Sequence, residues 1–509
     1  MSTVNNLKIS SQILQLSAIG KIIVPIPQDS DHDELNSFFQ HVTGLDTLRT
    51  FESFEGRSGE VWRVLHDSGE LILVGLGKKP TPASAYKVLR KFSNDQRKNL
   101  EDEIGFFIDS ICMSGDTSDI AQQLLFCEFA VNGLFTGTNT IRLNGDDNEH
   151  PLRHLILLKH QQEETSIEIS EFVRAGLRGL TIAKSQLTSM QLINTPANLL
   201  NPLQFTDTVI DIARKSGFHC EVYDEKRLRE EHFDALLAVN RGSEHPARFL
   251  VLEYDGTEQD FETTPLITLV GKGVTYDTGG LSMKPSESMV HMKCDMAGAA
   301  IVVSVMEALA NLKSAVRVMA TIPLTDNLVD SKSIKPGDVI RSYSGKSIEV
   351  IDTDAEGRLI LADAISWVTK NTSSDYIIDI ATLTGACVRT FGTHCAAIFS
   401  SSSDAQSTFM SVAERTGERL WPLPLWDLYK DDIQSDIADV RNYSGKPVAG
   451  SITAAKFLEY FTENHPGWVH LDVAGTVFGD TEFGKQKNAT GYGVRLLTDT
   501  VLELSRKKH

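Results

Sequence analysis

The chain reads as an α/β protein of two domains. A smaller N-terminal α/β domain covers residues 1–167, and a larger C-terminal α/β domain, with a central mixed sheet flanked by helices, covers 168–509. Three observations predict this. The 509 residues suffice for several domains at about 100–200 residues each. From residue 200 onward, short apolar runs alternate with longer helical segments, the rhythm of a sheet covered on both faces. Polar, glycine-interrupted stretches fall where strands should end, the edge at which ligands sit in such sheets.

In the N-terminal part, Glu60–Leu65, Leu71–Leu76 and Leu152–Leu158 read as strands, and the polar stretch Ala83–Asp109 reads as helical. Chain breakers cluster at Asp29–Glu34 and Asn144–Pro151. A polar stretch, His160–Ser166, precedes a helix expected over 168–193. There Val173, Leu177, Leu180, Ala183, Leu187 and Met190 step by three or four residues and share one face. Glu168 and Glu171 near its start suit the helix dipole, and Asn194–Asn198 (NTPAN) with Pro202 ends it. This helix is the expected connector between the domains.

Beyond it, the segments Leu236–Asn240, Phe249–Tyr254, Leu266–Val270, Val316–Ile322, Tyr376–Ile380, Ala396–Ser400 and Trp468–Val473 read as buried strands. Helices are expected at Ala297–Lys313, Leu359–Thr369, Thr408–Glu418 and Thr453–Asn464.

Composition excludes several classes. With 41% hydrophobic and 23% charged residues, the chain is neither disordered, collagenous nor a disulfide scaffold. A net charge of −19 repels phosphate backbones and anionic membranes. Six cysteines without a C-x-x-C pair argue against a disulfide framework or a Cys-ligated zinc. The N-terminus lacks the basic-then-apolar order of a secretory signal, and the greasiest stretch, Ala297–Met306, is shorter than the ~20 residues a bilayer span needs. A soluble, cytoplasmic protein is expected.

Two segments carry the chemistry. In the first, Val270–Ala299, Lys272, Asp277, Lys284 and Asp295 are separated by Gly271, Gly273, Gly279 and Gly280, and glycine lets a backbone turn sharply and lie close to a ligand. In the second, Ile348–Ala364, the residues Asp352, Asp354, Glu356 and Arg358 fall two apart, so an extended chain would turn all four side chains to one side. Two readings stand side by side. Ion pairing among these carboxylates, Arg358 and the two lysines is the plain one. The other is a two-metal site, in which Asp277, Asp295, Asp354 and Glu356 balance two divalent cations. The absence of a His cluster favours hard, oxygen-preferring metals, although zinc also accepts carboxylate. A lysine bound directly to metal must be neutral, whereas a charged one can stabilise a developing oxyanion.

Weaker motifs add little. Ser344–Ser347 (SGKS) resembles the end of a phosphate-binding loop, but Ile340 stands where its first glycine is required. His470, inside an apolar run, reads as a structural sheet histidine and His291 as a loop surface residue. Cys294 has only His291 nearby as a base, with nothing evident to orient it.

At these residues the sequence resembles the leucyl aminopeptidase family of binuclear metallo-aminopeptidases. Asp354–Arg358 within TDAEGRL matches that family's signature, and GKGVTYDTGG, Lys284-Pro285 and CDMAGAA form a second block. NTPAN (194–198), KPGDVI (335–340), ATLTGA (381–386), SITAAKFL (451–458) and HLDVAG (470–475) continue it in order over 170–500. The resemblance implies a metal-dependent exopeptidase that hydrolyses the N-terminal residue from peptides, preferring large apolar residues such as leucine, through a two-metal-activated water. It implies Lys272, Asp277, Asp295 and Glu356 around a tightly held metal and Asp277, Asp354 and Glu356 around a more exchangeable one, with Zn, Mn or Mg as the ions. Lys284 would polarise the scissile carbonyl, and Arg358 would hold a bicarbonate acting as general base. Met292, Thr382, Gly385, Ala474 and Val477 match positions lining the pocket for the first side chain, and Leu383 a backbone contact to the peptide. Asp352 stands where the family usually has Asn, and Val477 where relatives can be bulkier.

The resemblance further implies a homohexamer. The alternative from another class is a DNA-binding or regulatory protein on the same scaffold, against which the negative charge argues.

Overall fold

In the first unit of the chain, Met1–Lys184, buried aliphatic runs such as Ile22–Val24 and Leu71–Val74 lie in strands. The computed structural model describes residues 8–13, 20–28, 30, 54–66, 69–100, 102–108, 119–138, 152–159, 168–257, 264–480 and 486–507. Within the first unit, β1 (Lys8–Ile13), β2 (Lys21–Pro27), β3 (Val61–His66), β4 (Gly69–Gly77), β5 (Glu103–Phe107) and β6 (His154–Lys159) form a sheet in the order β1-β6-β5-β2-β4-β3. Its pairings are parallel except for the β3–β4 hairpin. The expected helix over Ala83–Asp109 is shorter. It runs Pro82–Asp95, and β5 takes up Glu103–Phe107, because Ile104, Phe106 and Phe107 are buried there and a strand satisfies their backbone within the sheet. The breaker and linker stretches at 144–151 and 160–166, and 29–34 apart from Ser30, lie outside the described residues.

The helix expected over 168–193 runs Ile169–Asn194. Phe172, Leu180, Ala183, Leu187 and Met190 are buried along it, whereas Leu177 is exposed. The buried stripe therefore starts one residue earlier than the spacing suggested.

The second unit, Ser185–His509, is built on a nine-stranded sheet. Its strands are β7 (His219–Tyr223), β8 (Arg248–Asp255), β9 (Leu266–Gly271), β10 (Gly273–Asp277), β11 (Arg317–Asn327), β12 (Tyr376–Ala381), β13 (Ala396–Ser400), β14 (Leu420–Pro422) and β15 (Trp468–Asp472). The order is β14-β13-β15-β12-β9-β11-β8-β7, with β10 continuing beside β11. The central strands β15, β12, β9 and β11 are parallel. Antiparallel pairing at β8, β7 and β13 makes the sheet mixed.

Alternation explains why both faces are covered. Ile267 and Leu269, Ile378 and Ile380, and Leu250 and Leu252 enter one core, with Ile301 and Val305 of helix Ala297–Asn311 and Phe205 of helix Pro202–Ser216. Val270, Ile377 and Phe249 enter a second core on the other face, with Ile360, Leu361 and Ile365 of helix Glu356–Asn371. Successive side chains of a strand point to opposite faces, so a strand buried on both sides reads as a continuous apolar run.

One expected strand is not a strand. Leu236–Asn240 lies in the helix Asp234–Asn240, and the Leu236 N–H donates to the buried Asp363 carboxylate at 2.9 Å. A five-residue apolar run carries too little period to separate the two states. Helix ends also shift: Thr408–Glu418 becomes Ser403–Thr416, started by the Ser402 hydroxyl accepting from Ala405 N–H and ended at the left-handed Gly417. Thr453–Asn464 becomes Gly450–Glu459.

Close packing sets the depth of helix Ala297–Asn311 on the sheet. A Cβ on Gly298 would lie 2.2 Å from the Ile380 carbonyl oxygen and 2.9 Å from the Lys272 nitrogen. Gly298→Ala is expected to lower stability by about 1–3 kcal/mol, the cost of overpacking. A urea unfolding midpoint equal to that of the parent chain would contradict this packing.

Candidate active site

The carboxyl ends of β9, β10, β12 and β15 share one edge of the second unit's sheet, and the polar segments start there. Between β9 and β10 the chain breaks at Lys272, whose N–H donates to the Ile380 carbonyl at 3.1 Å and whose carbonyl accepts from Ala299 N–H at 2.8 Å. The Lys272 side chain is buried. Its Nζ lies 2.8 Å from Asp295 Oδ1, 2.9 Å from the Thr382 carbonyl and 2.8 Å from Glu356 Oε1. A Cβ on Gly357 would lie 2.6 Å from that same Nζ, so glycine follows Glu356 because the lysine occupies the space.

Asp277 ends β10. Its Oδ1 accepts from Gly279 N–H and from Asn327 Nδ2, both at 2.8 Å. The turn through Gly279 and Gly280, both at positive φ, brings Lys284 back, with its N–H donating to the Thr278 carbonyl at 2.9 Å. Lys284 Nζ then lies 2.8 Å from Asp277 Oδ2 and 2.5 Å from Asp354 Oδ1. Asp295 follows the short turn Met292–Cys294 and precedes helix Ala297–Asn311. Its Oδ1 also accepts from the Thr382 hydroxyl at 2.7 Å.

The second segment does not run extended through 352–358. Asp352 Oδ1 accepts from Asp354 N–H at 2.9 Å, closing a turn, and the helix Glu356–Asn371 begins three residues before the expected Leu359. Asp354 and Glu356 meet through that turn rather than through strand alternation. Arg358, one helical step on, is buried and donates from Nη1 to the Asn442 carbonyl at 2.7 Å.

Asp277, Asp354 and Glu356 each offer a carboxylate oxygen, and these oxygens lie within 4.8 Å of one another. Asp295 joins them through the shared Lys272. Four carboxylates thus face two ammonium groups. Burial, then repulsion from Glu356 and Asp277, pushes the Asp354 carboxyl up to about 7. Burial raises Asp277 and Asp295 as well, whereas Lys272 and Lys284 outweigh burial at Glu356 and hold it below the usual range. Among the described residues, the buried Glu356 Oε2 has no hydrogen-bond partner. Asp295 Oδ2 and Asp354 Oδ1 lie close to an ammonium, at 2.8 and 2.5 Å, but without hydrogen-bond geometry. Acceptors only partly satisfied by lysine, in a cluster short of positive charge, are a donor set suited to hard cations.

Of the remaining residues singled out in the sequence, Thr382 meets this cluster at Lys272 and Asp295. Thr382 and Leu383 follow β12, and Gly385 opens the helix Gly385–Phe391. Ala474 follows β15, and Met292 sits in the turn before Asp295. Val477 is buried in the core that holds Ile301 and Val473. His470 is fully buried with Nδ1 2.5 Å from Asp379 Oδ1, and Trp468 Nε1 donates to Asp379 Oδ2 at 2.8 Å, a pair internal to the sheet. His291 packs at 5.9 Å against the Phe478 ring. Burial, helped by Asp295, pushes the Cys294 thiol up to about 12, which leaves it protonated and a poor nucleophile.

Four residues that the sequence reading passed over hold the site together. Asn327, at the end of β11, also donates to the Thr353 carbonyl at 3.1 Å. The Thr353 hydroxyl donates to the Gly279 carbonyl at 2.7 Å. Asn442 accepts from Ile351 N–H at 2.8 Å and donates to the Asp352 carbonyl at 2.6 Å. Asp472 ends β15 and receives the Thr384 hydroxyl at 2.6 Å. Asn327 and Asp472 carry a signal, a polar residue at the carboxyl end of a buried strand; Asn442, 84 positions from Arg358, carries none.

Comparison with known proteins gives a consistent answer. Residues 188–498 match the cytosol aminopeptidase family, catalytic domain. A probable cytosol aminopeptidase of Chloroherpeton thalassium is 37% identical over 444 residues, 84% of this chain and 85% of that protein. Another from Chlorobaculum tepidum is 45% identical over 350 residues, 66% of this chain and 69% of that one. Among solved structures, a mutant of tomato leucine aminopeptidase aligns with a TM-score of 0.84 at 28% identity, covering 98% of this chain and 96% of that one. The bottromycin maturation enzyme BotP in complex with Mn aligns with a TM-score of 0.81 at 29% identity, covering 96% and 100%. Because the match to that family's catalytic domain covers more than half of this chain, the chain belongs to the cytosol aminopeptidase family and is a metal-dependent aminopeptidase.

Proposed function

We propose that Asp277, Asp295, Asp354, Glu356 and Lys272, the last losing its proton when metal binds, hold two divalent cations, and that this site removes the N-terminal residue of peptides with a preference for a large apolar side chain such as leucine. The observation that carries this reading is the convergence of the Asp277, Asp354 and Glu356 oxygens within 4.8 Å, in a cluster whose carboxylates outnumber its ammonium groups. Lys272, Asp277, Asp295 and Glu356 surround the tighter site, and Asp277, Asp354 and Glu356 the more exchangeable one. Zn or Mn, with Mg as a further candidate, suits an oxygen-rich set without histidine. When bound, such ions supply Lewis acidity and lower the pKa of water from ~15.7 towards ~7.

The chain's own residues do the rest. Lys284, partly exposed among the carboxylates, supplies positive charge to the scissile carbonyl oxygen as it becomes an oxyanion. Arg358 spends Nη1 on Asn442, while its buried Nε has no partner among the described residues. This fits a bicarbonate ion held there to supply a base. Met292, Thr382, Gly385, Ala474 and Val477 shape the pocket for the first side chain, and Leu383 offers its backbone to the peptide. Residues 168–509 form the catalytic domain in this reading, and 1–167 a separate domain.

We further infer a homohexamer working in the cytoplasm. Trp421, Trp426, Leu428, Ile437 and Val448 are each 60–80% exposed on one stretch of chain, apolar surface that supports burial against other copies. Among the described residues, no helix is long and apolar enough to cross a membrane. The relatives give no support to the DNA-binding alternative.

Lys284→Ala should keep its metal content and lose roughly 10²–10³ in kcat on leucyl-p-nitroanilide, the scale of a lost oxyanion donor; unchanged turnover would remove Lys284 from its role. Asp295→Ala should release metal, and elemental analysis finding two tightly retained ions per chain would contradict the ligand set. Light scattering should give a mass six times the 56.1 kDa chain, and a monomeric mass would count against the assembly.

A further inference from the structure

Strands β12 and β15 run side by side with Ala381 opposite Asp472, so the chain leaves both at the same edge. One exit carries Thr382, Leu383 and Gly385; the other carries Ala474 and Val477. Asp472 stands at the last position of the ladder and is fully buried. Its Oδ1 accepts from the backbone N–H groups of Leu383 at 3.2 Å, Thr384 at 3.4 Å and Ala474 at 3.3 Å. Its Oδ2 accepts from the Thr384 hydroxyl at 2.6 Å. That hydroxyl in turn accepts from Cys387 N–H at 3.1 Å, capping the helix Gly385–Phe391, and lies 2.7 Å from the Ser451 hydroxyl.

One carboxylate therefore fastens both exits to each other. A buried carboxylate is tolerated only where hydrogen-bond donors replace water, and here backbone N–H groups of two separate segments supply most of them. Neither segment can move away from the other without leaving that charge short of partners. The contacts of this exit with Asp295 and Lys272 run through the hydroxyl and carbonyl of Thr382, and Asp472 itself bonds to neither.

We propose that Asp472 is a positioning residue that sets the width of the pocket for the substrate's first side chain, by pinning Leu383 and Thr384 to Ala474. It touches neither substrate nor metal. This rests on the reading of Thr382, Gly385, Ala474 and Val477 as that pocket.

The test uses the full-length, metal-loaded enzyme and compares kcat/KM on leucyl- and alanyl-p-nitroanilide. In Asp472→Ala the leucyl-to-alanyl ratio should fall about tenfold or more, since side-chain fit in an apolar pocket is worth that much, while metal content stays at the parent value. Asp472→Asn keeps one acceptor for the N–H groups and should retain most of the selectivity. Thr384→Val leaves the carboxylate and removes one leg of the tie; its ratio should fall about threefold, the scale of one hydrogen bond. A metal-replete Asp472→Ala enzyme with an unchanged ratio, or one that loses kcat equally on both substrates, overturns the proposal. Should Asp472→Ala fail to fold, an unchanged ratio in Thr384→Val overturns it instead. Ala474→Leu is the separate arm: it should turn preference away from leucyl, and no change there means that the pocket lies elsewhere.

Discussion

Mutual repulsion among buried carboxylates is the constraint on which the rest of this structure depends. Oxygens of Asp277, Asp354 and Glu356 lie within 4.8 Å, so each fully ionised pair repels by about 3–4 kcal/mol at an effective dielectric constant near 20. Three such pairs come to about 10 kcal/mol, comparable with the whole net stability of a typical domain, about 5–15 kcal/mol. Side chains in that arrangement need countercharge. Lys272 and Lys284 supply part of it, each bridging two carboxylates. The remainder is the physical case for cations at this edge of the sheet.

The fold supplies the rigidity needed to hold such a cluster. Each acidic residue is placed by backbone that is already committed: Asp277 by the end of β10, Asp295 by the start of a helix packed flush on the sheet through Gly298, and Glu356 by the first turn of a helix buried along nearly its whole length. Neutral side chains then lock the loops between them. Asn327 links Asp277 to the Thr353 carbonyl, and Asn442 links the 351–355 turn to Arg358. A neutral amide can both donate and accept. It suits these positions because it satisfies backbone groups without adding charge beside the carboxylates.

The two faces of the sheet divide the labour. Apolar side chains alternate into two cores, and the parallel central strands release their chains at a common edge, where polar residues need not be buried in either core. Among the polar side chains buried inside the sheet, His470 and Asp379 are paired with each other. Such a pair is tolerated in the interior because each partner replaces the other's lost water.

Much of this was legible in the residues themselves. The apolar runs at Leu266–Val270 and Tyr376–Ile380, interrupted by Thr268 and Asp379, announced strands buried on both sides, because alternation into two cores favours apolar side chains on either face. The clustering of Lys272, Asp277, Asp295, Asp354 and Glu356 in two segments marked where charge would collect. Other features waited for the tertiary structure. Leu236–Asn240 lies in a helix whose Leu236 N–H meets Asp363, more than a hundred positions away. The spacing of Asp352, Asp354, Glu356 and Arg358 suggested an extended chain, yet a turn and a helix start bring two of them together. Asn442 acts through backbone groups of a distant segment, which no local pattern encodes. Sequence alone determined which residues are apolar, charged or free to turn, since those are properties of single side chains and their spacing. Which charges meet, and which amide or carboxylate ties one loop to another, was decided only when the sheet brought separate strand ends to one edge.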